Sequence, residues 1–116
     1  MGIKLDIKLF LLCSFTTFIY GDNEARLLLY GNCITCHHET KAISAPSLKE
    51  IQKRYKAAFP NKKEFVAYMS NWVYEPNRKS SLMDDMILKY EIMPSLGYDK
   101  EVLLKISGYI YSLKLQ

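Results

Sequence analysis

Apolar residues recur at intervals of three and four over most of the chain after residue 22, and this is the spacing of amphipathic helices. No segment shows the strict alternation of apolar and polar residues that a half-buried strand requires. The pattern therefore predicts an all-α fold of about five helices. The predicted helices cover residues 24–32, 47–59, 62–74, 80–90 and a C-terminal stretch that begins at Asp99.

Helix boundaries follow from residues that cap or break helices. Ser47 and Asp99 are expected to cap the second and last helices, and Ser80 or Ser81 the fourth. The core face of the second helix is predicted to consist of Leu48, Ile51, Tyr55 and Ala58. In the last helix, six apolar residues form one stripe: Val102, Leu103, Ile106, Tyr109, Ile110 and Leu113.

The N-terminus has the organisation of a secretory signal peptide. Two lysines precede an apolar stretch of 12 residues, Leu9 to Tyr20, and polarity returns after Gly21. We expect cleavage to remove residues 1–21 and to leave a single domain of residues 22–116 outside the cytoplasm. The stretch is shorter than the roughly 20 residues that span a membrane, which favours a cleaved leader over a membrane anchor. No stable membrane insertion is expected after cleavage. Membrane anchoring through residues 9–20 is the alternative if cleavage does not occur.

Composition limits the classes of function. The chain has 116 residues, 49% hydrophobic and 24% charged, which is typical of one small globular domain. Its formal charge of +4 is too mild and too evenly mixed for a dedicated nucleic-acid binder. Of three cysteines, Cys13 leaves with the leader, so the mature chain keeps only Cys33 and Cys36.

These two cysteines belong to the sequence Cys33-Ile34-Thr35-Cys36-His37, which is the attachment pattern of c-type haem. In such a site both thiols form thioethers with the haem, and His37 becomes the proximal iron ligand. A thioredoxin-like dithiol would need a βαβ pattern, which the chain lacks. A zinc site would need four convergent ligands, and His38 is the only candidate besides the two cysteines and His37. A disulfide between residues three positions apart would close a very short loop and stabilise little. We expect His38 to be solvated or to face a haem propionate.

Three patches of the mature chain resemble class I monohaem cytochromes c of exported bacterial type. The first is the helix that leads through Tyr30 into Cys33-Ile34-Thr35-Cys36-His37. The second is Ala45-Pro46-Ser47-Leu48, and the third is Met93-Pro94-Ser95-Leu96, followed by the C-terminal helix. The resemblance implies a small cytochrome c fold around one covalently attached haem c, in which the N- and C-terminal helices cross.

The resemblance also implies roles for individual residues. The backbone carbonyl of Pro46 would accept the N–H of His37, although Pro46 could simply start a helix. Met93 would be the second iron ligand, because it alone among the methionines is predicted to lie in a loop; Met86 is the second choice. Trp72 would either contact the haem or fill the core.

With two axial ligands on the iron, the implied function is electron transfer and not enzyme catalysis. The expected partners are periplasmic or membrane redox enzymes that donate and accept electrons, and the protein is expected to be a monomer in the periplasm. The alternatives are a haem sensor, in which Met93 yields to a gas or a peroxide, and a small haem subunit of a larger oxidoreductase. A group of basic residues would either steer acidic partners or form an ordinary solvated surface. The group comprises Lys41, Lys49, Lys53, Arg54, Lys56, Lys62 and Lys63.

Overall fold

The computed structural model describes residues 23–115. All regular secondary structure within these residues is helical, with no strand. The predicted signal peptide, Cys13 and the anchor alternative lie outside the described residues. No helix between residues 23 and 115 combines the length and the apolar character that crossing a membrane requires. The helices are α1 (residues 23–32), α2 (Leu48–Ala58), α3 (Lys62–Tyr74), a 3₁₀ turn (Arg78–Ser80), α4 (Asp84–Tyr90) and α5 (Lys100–Ser112).

Local sequence signals set both ends of α2 and α3. Ser47 caps α2, where its side-chain oxygen accepts a hydrogen bond from the Glu50 N–H at 3.2 Å. Asn61 caps α3 in the same way, by accepting from the Lys63 N–H at 2.9 Å. The predictions for these two helices are therefore confirmed to within one residue at each end.

The predicted start of α4 is wrong. The Ser81 side-chain oxygen accepts from the Met83 N–H at 3.0 Å, and this hydrogen bond holds a turn that precedes the helix. Met83 itself has a non-helical backbone and occupies the N-cap position without a side-chain cap. The helix consequently begins only at Asp84, and the residues before it form the 3₁₀ turn and an extended stretch.

One core position in α2 also differs from the prediction. Ala58 is exposed, whereas Gln52 on the same helix is buried. The Gln52 amide donates hydrogen bonds to the carbonyls of Ile110 at 2.8 Å and Leu113 at 2.7 Å. A buried polar side chain is tolerated here because its N–H groups bond to carbonyls at the end of α5. The Ile110 carbonyl also accepts from the Leu113 N–H at 3.3 Å, so Gln52 is its second partner.

The core joins the two ends of the described chain. Leu29 on α1 is fully buried and packs in one cluster with Ile106 and Ile110 on α5. Lys105 and Glu24 add an ion pair of 3.0 Å between the same two helices. The expected packing of the N-terminal helix against the C-terminal helix is therefore present. Helix α3 lies across α5 and contributes the fully buried Phe65.

Candidate functional site

All five helices contribute side chains to one apolar cavity. Its volume is about 260 Å³, more than ten times the roughly 10–15 Å³ that holds a single water molecule, so it is not a packing defect. Aliphatic, aromatic and sulfur-containing side chains form most of its wall. The helical wall residues are Asn32, Leu48, Ile51, Tyr55, Met69, Trp72, Val73, Met86, Ile87, Tyr90, Leu103, Ile106, Ser107 and Ile110.

The Cys33–His37 segment lines this cavity where α1 ends. The Cys33 N–H donates to the Leu29 carbonyl at 2.9 Å, and the His37 N–H donates to the Cys33 carbonyl at 2.8 Å. This turn places Cys33, Cys36 and His37 together on the cavity wall. Both thiols are free, and burial, followed by the neighbouring Cys36, raises the pKa of the half-buried Cys33 thiol.

His37 has a defined ring orientation. Its Nδ1 lies 2.9 Å from the backbone carbonyl oxygen of Pro46. A carbonyl oxygen can only accept, so Nδ1 carries the hydrogen, and in the neutral ring Nε2 keeps the lone pair. Pro46 also lines the cavity and directly precedes Ser47, the cap of α2. The chain thus brings together the two residues for which the resemblance implies this contact.

His38 has a different role in the loop. Its Nδ1 accepts hydrogen bonds from the Thr40 N–H at 3.2 Å and the Lys41 N–H at 3.1 Å. Its carbonyl accepts from the Leu48 N–H at 2.9 Å, so the residue closes the loop that leads back to α2. The ring is half-buried and is not part of the cavity wall.

Four methionines reach the cavity, and their burial separates them. Met69 and Met83 are buried members of the core cluster, so their side chains are already packed. Met86 and Met93 are half-buried. Met86 lies on α4, whereas Met93 belongs to residues 91–99, which have no regular secondary structure. The prediction that Met83 lies inside the fourth helix is wrong, because Met83 occupies the N-cap position before α4, but its side chain is a core residue.

Trp72 lines the cavity from α3 and is half-buried. Its indole N–H donates to the Asn77 carbonyl at 2.9 Å, in the turn that follows the helix. The ring thus presents its apolar surface to the cavity, while its only hydrogen-bond donor has a partner within the chain.

Sequence reasoning did not identify two polar residues of the cavity wall, Asn32 and Tyr98. The Tyr98 hydroxyl donates a hydrogen bond of 3.0 Å to the Asn32 side-chain oxygen, across 66 positions of sequence. Neither residue belongs to a recognisable motif. A contact between such distant positions leaves no signal in a local pattern, so a single sequence could not have identified it.

Charged side chains are rare around the cavity. Glu91 is the one carboxylate among the described wall residues, and no lysine or arginine lines the cavity.

Arg54, one of the basic residues considered for partner steering, is paired with Glu50 and Asp85. Lys56, another, lies over the Tyr111 ring at 4.8 Å. Among residues 23–115, no three or more His, Cys, Asp or Glu side chains are grouped as a metal cluster.

Comparisons with known proteins give little guidance on the family. No family model matches the chain. An uncharacterised protein of Aquifex aeolicus (strain VF5) is 28% identical over 60 residues, which is 51% of this chain and 40% of that protein. The chain therefore aligns with less than half of the length of this relative. No solved structure matches.

Proposed function

We propose that the protein is a periplasmic electron carrier that holds one haem c, attached through Cys33 and Cys36 and ligated by His37 and Met93. One observation carries the proposal: both thiols, His37 and Met93 line a single apolar cavity. The chain contributes these side chains from segments more than 50 positions apart. A common wall for all four is what a covalently attached, doubly ligated haem requires.

The residues present fit this cofactor. A porphyrin is a large, flat, mostly apolar body, and the wall of the cavity is mainly aliphatic and aromatic. Cys33 and Cys36 both lie on this wall, where their sulfur atoms could form thioethers with a bound haem. The cavity extends from their side chains to residues of all five helices.

The chain itself orients the ligand on the cysteine side. The Pro46 carbonyl fixes His37 as the tautomer that carries its hydrogen on Nδ1, which leaves Nε2 as the nitrogen that can bind a metal. Met93 would supply a soft thioether, a ligand that raises the reduction potential of haem iron.

When bound, the haem supplies a one-electron iron couple. The protein residues hold the two ligands, exclude water with the apolar wall and leave part of the cavity open to the surface beside the exposed Ile92 and Leu96. With His37 and Met93 both binding the iron, no coordination site would remain for a substrate, and electron transfer to a docked partner is the reaction that such a site would support.

The test is to produce the full chain in a bacterium that performs c-type haem attachment and to analyse the exported protein. We expect haem to remain with the polypeptide after denaturation and extraction. The ferric protein should show the weak far-red absorbance band associated with methionine ligation. Colourless protein, or haem that is extracted freely, would refute the proposal. Fast carbon monoxide binding to the ferrous wild-type protein would instead favour the sensor alternative.

A further inference from the structure

We infer that the hydrogen bond from Tyr98 to Asn32 sets how readily Met93 leaves the iron, which makes Tyr98 a positioning residue for the distal ligand. This inference rests on the proposed function. The bond joins the segment that carries Met93 to the residue directly before Cys33. It is thus a direct connection between the parts of the chain that would hold the two faces of the cofactor.

Asn32 is prepared to accept this bond. It is the last residue of α1, and its side-chain N–H donates to the Leu28 carbonyl within that helix at 2.7 Å. This contact fixes the orientation of the amide group. Its Oδ1 is consequently left to accept from the Tyr98 hydroxyl, at the normal distance of 3.0 Å.

Tyr98 is equally well placed at the other end of the bond. It directly precedes Asp99, the N-cap residue of α5, and follows Gly97, whose φ of 73° lies in the left-handed region that favours glycine. The half-buried Tyr98 ring lines the cavity, as Asn32 does. The bond therefore connects the C-terminal end of the Met93 segment, residues 91–98, to the end of α1, beside the cavity.

The Met93 segment makes few other side-chain contacts with the rest of the described chain. The other side-chain hydrogen bond from residues 91–98 to the rest of the described chain runs from the Ser95 hydroxyl to the Tyr74 carbonyl and is long, at 3.4 Å. Ile92 and Leu96 remain 41% and 47% exposed, so their burial contributes little. The Tyr98 bond is therefore the shorter of two side-chain hydrogen bonds that this segment makes with the rest of the described chain, and it is the one that joins the segment to α1.

The experiment compares two variants that each remove one hydroxyl from the haem-loaded full chain. Tyr98→Phe removes the donor to Asn32 and keeps the ring. Tyr111→Phe is the matched control, because its hydroxyl also donates a hydrogen bond, to the Pro60 carbonyl at 2.9 Å, and it does not line the cavity. The measurements are the affinity of the ferrous protein for carbon monoxide and the intensity of the ferric far-red band.

For Tyr98→Phe we expect carbon monoxide affinity to rise about 3- to 10-fold, the equilibrium effect of one ordinary hydrogen bond, with a weaker far-red band. Tyr111→Phe should leave both unchanged. Asn32→Ala, which removes the acceptor, should reproduce the effect. The double variant with Tyr98→Phe should change carbon monoxide affinity by less than the combined effects of the two single variants. A purely structural role would lower the melting temperature without changing ligand exchange.

Two results would overturn the inference, and they can be told apart. If the wild type carries haem with methionine ligation but Tyr98→Phe behaves like Tyr111→Phe, the inference fails and the proposed function stands. If the wild type attaches no haem, or attaches it without methionine ligation, the proposed function fails and the inference fails with it.

Discussion

Residues 33–48, which carry Cys33, Cys36 and His37, are held by hydrogen bonds between near neighbours, whereas residues 91–98, which carry Met93, are held by contacts with distant parts of the chain. On the cysteine side the His37 N–H donates to the Cys33 carbonyl, and the backbone of residues 38 and 39 pairs with that of residues 48 and 49. The longest of these contacts in sequence spans ten positions.

On the Met93 side, the Glu91 N–H donates to the Ile87 carbonyl at 2.8 Å, and no further local backbone hydrogen bond holds residues 92–98. The contacts of this segment reach back 21 positions to Tyr74 and 66 positions to Asn32. A segment fixed by a few long-range contacts opens at a lower free-energy cost than one closed on itself by backbone hydrogen bonds. The two proposed ligands should therefore respond differently to mutation, because His37 is held by its own loop and Met93 depends on contacts with the rest of the fold.

The largest effect is expected from removing both attachment points, in Cys33→Ala with Cys36→Ala. Without haem the apolar wall of the cavity of about 260 Å³ is left facing water instead of packing against the cofactor, so the folded state loses much of its apolar burial. The total stability of a small domain is about 5–15 kcal/mol. We expect a colourless, poorly folded product. Circular dichroism and thermal melting measure the loss of folded structure. A stable, cooperatively folded domain without haem would contradict this expectation.

The next effect distinguishes the two half-buried methionines. In Met93→Ala, haem should remain attached, because Cys33 and Cys36 are unchanged, but one axial position opens. The ferric far-red band should disappear, and carbon monoxide affinity of the ferrous protein should rise by more than about tenfold, or 1.4 kcal/mol.

Met86→Ala is the matched control, because Met86 is also half-buried and lines the same cavity. It should lower stability through lost packing and keep the band. Loss of the band in Met86→Ala alone would identify Met86 as the ligand in place of Met93.

The same contrast between local and distant contacts explains which structural features could be predicted from sequence. Local signals correctly located two helices: Ser47 caps the start of α2, and Pro76 follows the end of α3, where it cannot continue the helix. The start of α4 was missed because a serine that can cap a helix can equally close a turn before one, as Ser81 does. Both alternatives use the same residue type.

The cavity wall was predictable only in part for the same reason. The motif at Cys33 and its neighbours names residues that are adjacent in sequence, so a pattern reveals them. Gln52 on α2 is polar and does not belong to the predicted core face, because the α5 carbonyls to which it bonds lie 58 and 61 positions away. The Tyr98 contact with Asn32 depends likewise on packing between distant elements.

A smaller effect is expected from Gln52→Leu, which removes a connection between the two sides. Gln52 lies on α2, after the cysteine-side loop, and binds the end of α5, the helix that follows the Met93 segment. The Leu113 carbonyl would lose its partner and the Ile110 carbonyl one of its two, at a cost of about 1–3 kcal/mol in the free energy of unfolding. Urea denaturation measures it.

Ser70→Ala is the control for Gln52→Leu, because Ser70 is also buried but bonds only within its own helix, to the Ala67 carbonyl. We expect it to cost less than about 1 kcal/mol. Equal costs for the two variants would show that the connection to α5 contributes nothing specific.

The smallest effect concerns the ion pair between α2 and α4, which depends on pH. The Arg54 guanidinium donates to the Asp85 carboxylate, with an Nη2–Oδ2 distance of 2.8 Å, and holds the pKa of that carboxyl below its ordinary value. Since unfolding releases the pair, the folded chain binds fewer protons than the unfolded chain between the two pKa values. The stabilisation is therefore complete above about pH 4 and is lost as the pH falls through the lowered pKa.

Asp85→Asn should accordingly be less stable than the wild type near neutral pH, and the difference should shrink on acidification. Urea unfolding of both proteins across the acidic range measures it, and the change should be small because the pair is solvent-exposed. Asp84→Asn removes a charge from the same helical turn, where the contact with Arg78 is longer, at 3.6 Å. If both variants showed the same pH dependence, the charge at the start of α4, and not the pair with Arg54, would be its cause.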